Sequence, residues 1–127
     1  YCAVQPPSIF QATPRTLLPA LEQKNTANSP NSSGLVNCIE GFSTFACRPL
    51  VNVHDVAVVA SHRGQRVAEK MLAMAEALAI ARGACKLTLE VLQGNVGADR
   101  LYRRLGFANY ELDPAMGQAQ FMQKWLD

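Results

Sequence analysis

The succession of hydrophobic patterns along this chain predicts one α/β or α+β domain. Three observations carry the prediction. Two β-like stretches come first, Leu35 to Phe45 and then Val51, Val53, Val56 and Val58. The clearest helical pattern of the chain follows from Val67 to Arg82, and the strictly alternating segment Lys86 to Leu92 then returns the chain to strand. No segment repeats another. A chain of 127 residues with a hydrophobic fraction of 49% is long and apolar enough for one packed core.

Taken in order, Tyr1 to Phe10 carries Pro6 and Pro7 and shows no period, so it reads as an extended or poorly ordered lead-in. Thr13 to Lys24 offers a short helix, with Thr13 as cap, Pro14 in the first turn and Leu17, Leu18 and Leu21 as a stripe that Pro19 interrupts. The Asn- and Ser-rich run Asn25 to Gly34 is a loop. Residues 1–34 are therefore a lead-in with a weak helix, and residues 35–127 are the core of a single domain. Within that core, Arg48-Pro49 is read as a break between the first two strands. The helix Val67 to Arg82 places Val67, Met71, Met74, Ala75 and Leu78 on one face and Gly83 where a C′ residue belongs. A short helix, Val96 to Leu105, ends at Gly106. The segments Ala108 to Leu112 and Ala119 to Trp125 show weak strand patterns.

A formal charge of +2, from twelve Lys+Arg against ten Asp+Glu, speaks against a nucleic-acid or membrane-surface binder. No apolar run approaches the ~20 residues that span a bilayer. Cys2, Cys38, Cys47 and Cys85 form no C-x-x-C pair and have no histidines at zinc spacing, so they read as small buried hydrophobes with no metal site, in a reducing cytoplasm. The chain starts at Tyr1 rather than Met, which points to a true amino terminus lying upstream.

The junction Val58-Val59-Ala60-Ser61-His62-Arg63-Gly64-Gln65-Arg66-Val67-Ala68 runs from a strand through a polar turn into the principal helix. The first N–H groups of a helix lack internal partners and carry the positive end of its dipole, so this turn can cradle a phosphate, with Gly64 allowing close approach. Neither the P-loop nor the G-x-G-x-x-G template is present. What fits is a phosphate-bearing ligand held mainly by main chain, without metal.

Together with Leu89-Glu90-Val91, Asn95, Ala98, Leu101-Tyr102 and Leu105-Gly106-Phe107, the run Arg63-Gly64-Gln65-Arg66-Val67-Ala68 resembles the GNAT (GCN5-related N-acetyltransferase) superfamily, whose acetyl-CoA loop has the pattern [Q/R]-x-x-G-x-[G/A]. The resemblance spans Leu35 to Leu126 and is best from Val51 to Phe107. It implies a three-layer α/β/α fold of α+β class, with a mixed, mostly antiparallel sheet, splayed central strands and a reduced amino-terminal part. It also implies acetyl-CoA as co-substrate, and direct transfer of acetyl to a primary amine of a small molecule or peptide. A CoA-binding module with little catalysis is the alternative.

On that resemblance the cofactor side comprises the backbone at Val56 and Val58, the turn Arg63, Gly64, Gln65, Arg66, Val67 and Ala68, and Asn95, which also suits a helix cap. Tyr102 matches the family's tyrosine, a phenol of pKa ~10 that can protonate the leaving thiolate; its alternative is packing with Leu101 and Leu105. An acceptor ammonium of pKa ~10.4 must lose a proton. In a strand Asn52 and His54 share a face and Asp55 points oppositely; if the first pair faces the cleft, His54 is the candidate base, directly or through water, with Asp55 or water alone as the alternatives and a structural histidine as the plain reading. Arg66 stands where the family has glycine. Either it adds charge for the pyrophosphate, or its side chain hinders a position that needs φ > 0; the first is preferred because a residue entering a helix normally has φ < 0. A strand near Phe121 to Trp125 would offer a homodimer contact.

Overall fold

The computed structural model describes Ile9–Ala12 and residues 33–126. The chain forms two compact units, Tyr1–Glu90 and Val91–Asp127. The first is built on a four-stranded sheet of order β1-β2-β3-β4, where β1 is Ile9–Ala12, β2 Gly34–Ser43, β3 Arg48–Val58 and β4 Leu87–Leu89. The β1/β2 and β2/β3 pairs are antiparallel and β3/β4 is parallel. The 15-residue helix α1, Val67–Ala81, connects β3 to β4 as a parallel pair requires.

Alternation explains which side of the sheet α1 covers. Val36 and Cys38 of β2 and Val51 and Val53 of β3 are buried, together with Met71, Leu72, Ala75 and Ala79 of α1. The helix therefore packs through a stripe at i, i+1, i+4 and i+8. Leu78, expected on that face, is 39% exposed, because the stripe turns toward Leu72 and Ala79 instead. Gly34 is required by close approach: a Cβ there would lie 2.7 Å from the Ala57 carbonyl oxygen and 2.9 Å from Met71 Cε. Burial raises the Cys38 thiol to about 11.

The far end of α1 closes by a Schellman motif. Gly83, at φ 73°, donates its N–H to Ile80 O, and Ala84 N–H reaches back to Ala79 O. Arg48 Nη2 donates to the Gly83 carbonyl, Arg82 pairs with Glu40 at 3.0 Å, and Cys85 N–H donates to Pro49 O. These bonds tie the helix-to-β4 return onto the start of β3.

Several expectations are corrected. Arg48-Pro49 does not separate two strands. It opens β3, paired with Ser43 and Phe42, and the chain reverses at residues 44–47. Pro49 is tolerated because it lies near the strand's beginning, where its missing N–H costs no ladder bond. Cys47 is exposed in that turn at φ 49° and is disulfide-bonded, so not all cysteines are buried apolar side chains. The lead-in contains a strand, β1, whose extended form comes from pairing with β2 rather than from any pattern of its own. The helix expected over Thr13 to Lys24 lies outside the described residues.

In the second unit, α2 is Val96–Arg104, followed by a 3-10 turn at Pro114–Met116. The strand patterns at Ala108 to Leu112 and Ala119 to Trp125 do not become strands. One backbone bond, Ala119 N–H to Tyr110 O, and one amide pair, Asn109 Nδ2 to Gln118 Oε1, link those segments. Phe121, Met122 and Trp125 remain 77% to 84% exposed. Among the described residues no helix is long and apolar enough to cross a membrane.

The stripe makes a discriminating prediction. Met71→Ala should cost roughly 2–5 kcal/mol by denaturant unfolding, whereas Leu78→Ala should cost under about 1 kcal/mol. Equal costs would contradict the assigned face.

Candidate active site

The site in the first unit begins with an irregularity in β3. Asp55 pairs with Asn37 but Val53 pairs with the next residue of β2, Cys38, leaving His54 as an extra residue in a β-bulge. Before the bulge, Val51 turns its N–H toward β4 and donates to Lys86 O. After it, Val59 N–H donates to Ser33 O on the β2 side. Only every second residue of an antiparallel strand faces a given neighbour, so Asp55 and Ala57 also face β2, and Val56 and Val58 turn their N–H and C=O groups to the opposite edge. The β3/β4 ladder ends at Val53 and Leu89. Beyond that point no described residue pairs with β3 on this side, and the strands part where Val56 and Val58 present their backbone.

The chain then passes through a 3-10 turn, Ala60–His62, into the loop before α1. Arg63 Nε donates to Val58 O at 3.3 Å and Gln65 Nε2 to Ser61 O at 3.3 Å, so both side chains brace the turn. Gly64 has φ 74° with open space where a Cβ would stand, which lets a ligand lie against the backbone. Arg66, the N-cap residue of α1, has φ 58° and ψ 25°. This overturns the expectation that it enters the helix with φ < 0: the position is left-handed, and that explains why the family pattern carries glycine there. The Arg66 side chain makes no capping hydrogen bond, and the first turn, including Val67 and Ala68, carries the positive end of the helix dipole.

His54 is exposed and makes no hydrogen bond with the described residues. The expected opposition of Asn52 and Asp55 fails because the bulge shifts the alternation. Asp55 Oδ2 accepts from Asn37 Nδ2 at 3.1 Å, and Asn37 alternates with buried Val36 and Cys38, so Asp55 lies on the face away from α1. Asn52 shares that face; its Nδ2 donates to Thr88 Oγ1 at 3.1 Å.

In the second unit Asn95 caps α2, its side chain accepting from Ala98 N–H at 3.3 Å. Tyr102 sits seven residues on, about two turns or ~10 Å along the same side. Its ring meets Phe107 edge-on, with centroids 5.9 Å apart. The contact belongs to a second Schellman motif: Gly106 at φ 92° donates to Arg103 O, and Phe107 N–H donates to Tyr102 O. Burial raises the Tyr102 phenol above its ordinary value, so the hydroxyl holds its proton at neutral pH. Among the described residues no group of three His, Cys, Asp or Glu is placed to hold a metal.

The parted strand edge, the glycine turn and the start of α1 follow one another along the chain in an α+β fold. The acetyltransferase (GNAT) family model matches residues 16–107, and the chain belongs to that family. Streptothricin acetyltransferase of Streptomyces lavendulae is 38% identical over 68 residues, covering 54% of this chain and 36% of that protein. The ribosomal-protein-alanine N-acetyltransferase of Brucella melitensis biovar Abortus 2308 has a TM-score of 0.63 and 18% identity, covering 76% of this chain and 65% of its own. An aminoglycoside acetyltransferase from an uncultured soil metagenomic sample, solved with sisomicin, has a TM-score of 0.59 and 12% identity, covering 76% and 58%. The chain thus spans about a third of the curated relative and less than two thirds of either solved structure.

Two predictions follow from the local geometry. A side chain in the left-handed region costs roughly 1–2 kcal/mol, part of which glycine's greater unfolded freedom offsets. Arg66→Gly should therefore raise stability by about 0.5–1 kcal/mol in denaturant unfolding, and a loss would show that the arginine side chain anchors the turn. For Tyr102, the folded pKa lies above the unfolded value of ~10. Its stabilising contribution is full below ~10 and is lost as pH rises through the folded value. Tyr102→Phe should flatten the alkaline fall in unfolding midpoint between about pH 9 and pH 11.

Proposed function

We propose that this chain is an acetyl-CoA-dependent N-acetyltransferase that moves acetyl to a primary amine by direct attack, without a covalent enzyme intermediate. The observation that carries this reading is the bulge at His54, which turns the Val56 and Val58 backbone toward an open edge leading into the uncapped start of α1. The residues suit the co-substrate chemically. The α1 amino terminus and the Gly64 turn would receive the pyrophosphate, and outward N–H groups at Val56 and Val58 would receive amide and acyl oxygens. Bound there, acetyl-CoA supplies an activated thioester.

The chain's own residues would then manage protons. Asn95, its Oδ1 committed to the cap, retains an Nδ2 donor for the cofactor. Tyr102 holds its phenolic proton for the departing thiolate. His54, exposed at the bulge, would take the amine's proton, directly or through water. The acceptor proposed is a small-molecule or peptide amine, in keeping with the streptothricin and aminoglycoside acetyltransferases that the chain resembles. The second reading, a CoA-binding module with little catalysis, is favoured by one observation: Arg66 occupies a left-handed position that suits glycine.

Calorimetric titration should show acetyl-CoA binding, and thiol release should follow on adding a suitable amine. Tyr102→Phe should lower kcat by about a hundredfold or more while acetyl-CoA affinity stays within about threefold. Binding without turnover across a broad amine panel would favour the module, and no binding would remove the reading altogether.

A further inference from the structure

We infer that Phe107, which folds back over the last turn of α2, is a positioning residue for proton transfer at Tyr102: its ring selects the orientation in which the phenol meets the departing thiolate. The inference rests on the acetyltransferase reading and goes beyond it by naming the residue through which Tyr102 is held.

The backbone brings the two rings together. Leu105 is the C-cap of α2, Gly106 follows at φ 92°, and Phe107 comes next. Gly106 N–H donates to Arg103 O and Phe107 N–H to Tyr102 O, each at 3.0 Å, so Phe107 is returned over the turn that carries Tyr102. A second tie lies just beyond it. Arg103 Nε donates to both carboxylate oxygens of Asp99, at 2.9 and 3.2 Å, and Arg103 Nη2 donates to Asn109 Oδ1 at 3.1 Å. Phe107 is thereby pinned from both sides, by its own N–H and by the side chain of Asn109.

A pinned ring decides what the helix alone leaves open. An aromatic residue in a helix has two common settings about its Cα–Cβ bond, and they carry a phenolic oxygen to places farther apart than a hydrogen bond spans. Rotation about the next bond only spins the ring around the axis on which the hydroxyl lies. Placement of the Tyr102 hydroxyl therefore depends on the first torsion. The edge-to-face contact with Phe107, with 5.9 Å between centroids and 67° between planes, favours one setting. No residue of α2 is buried, so no enclosing core does this instead. The same apolar ring lies beside a half-buried phenol, where keeping water away helps the hydroxyl retain its proton until the thiolate forms.

The test uses the whole chain and two readouts. The first is ultraviolet titration of the tyrosines without acetyl-CoA; the chain has three, and Tyr102 is isolated by difference from the matching Tyr102→Phe variant. Phe107→Ala should move its midpoint down toward the ordinary ~10. The second is thiol release from acetyl-CoA with sisomicin, spermidine and an alanine-initiated peptide as amines. Phe107→Ala should lower kcat by at least about tenfold with acetyl-CoA affinity within about threefold, and Phe107→Tyr, which keeps an aromatic edge, should recover most of the loss. In a Tyr102→Phe background, Phe107→Ala should change kcat by less than about twofold, because a residue that acts through Tyr102 then has nothing left to position. A further loss of about tenfold in that background, or an unchanged kcat in Phe107→Ala alone, would overturn the inference while leaving the acetyltransferase reading intact. If Phe107→Ala does not fold, Phe107→Leu carries the same cycle with a smaller loss. Absence of thiol release from the unaltered chain would bring down both.

Discussion

The insertion of one residue, His54, into the β2/β3 ladder is the constraint on which the rest of the site depends. A β-strand offers its backbone alternately to two neighbours, and a uniform β3 would direct Asp55 and Ala57 toward the β4 edge. The bulge reverses that phase. It leaves the core intact, since Val51 and Val53 before it and Val56 and Val58 after it all turn toward α1, the latter two half-buried. What it changes is which peptide groups face the gap. The parallel ladder then ends after three residues of β4, and a sheet that would otherwise be continuous acquires an open seam.

Helix ends supply the second ordering principle. Both helices finish in the same Schellman arrangement, at Gly83 and at Gly106, with the carbonyls of the last turn satisfied by backbone N–H groups. Their starts differ. α2 is capped by Asn95, while α1 has no side-chain cap. A 15-residue helix closed at its carboxy end and open at its amino end presents its unsatisfied donors in one place, next to the seam. In α2 the same motif explains the spacing of Tyr102, Gly106 and Phe107: the residue at C3 and the residue at C″ must touch, so Phe107 packs on Tyr102 and sets its ring.

Much of this was legible in the sequence, and the exceptions share a cause. The helix from Val67, its closure at Gly83, the strand through Leu87 and Leu89 and the cap at Asn95 follow from local period and local chemistry, which a single sequence records. Pairing is not recorded there. Nothing at Ile9 to Ala12 announces a strand until β2 lies alongside it. Nothing in Val53-His54-Asp55 announces a bulge, because the extra residue is extra only relative to Asn37 and Cys38 across the ladder. The same omission placed Asp55 on the wrong face. In the tail, alternation at Ala119 to Trp125 is real but finds no strand partner among the described residues, so periodicity alone does not yield a strand.

Arg66 shows how magnitudes decide what the fold tolerates. Its left-handed backbone costs roughly 1–2 kcal/mol. Against this, full burial of side chains such as Met71 and Leu72 contributes about 1.5–3 kcal/mol each, and both lie within two turns of Arg66 on the face that α1 packs against β2 and β3. The helix is therefore held in register by its stripe rather than by its entry residue, and the entry can carry a side chain in an unfavourable conformation without moving. Glycine at this position in the family pattern suits that backbone angle. Arginine here keeps that angle at the expense of some stability, while placing an exposed guanidinium beside the accessible end of the helix dipole.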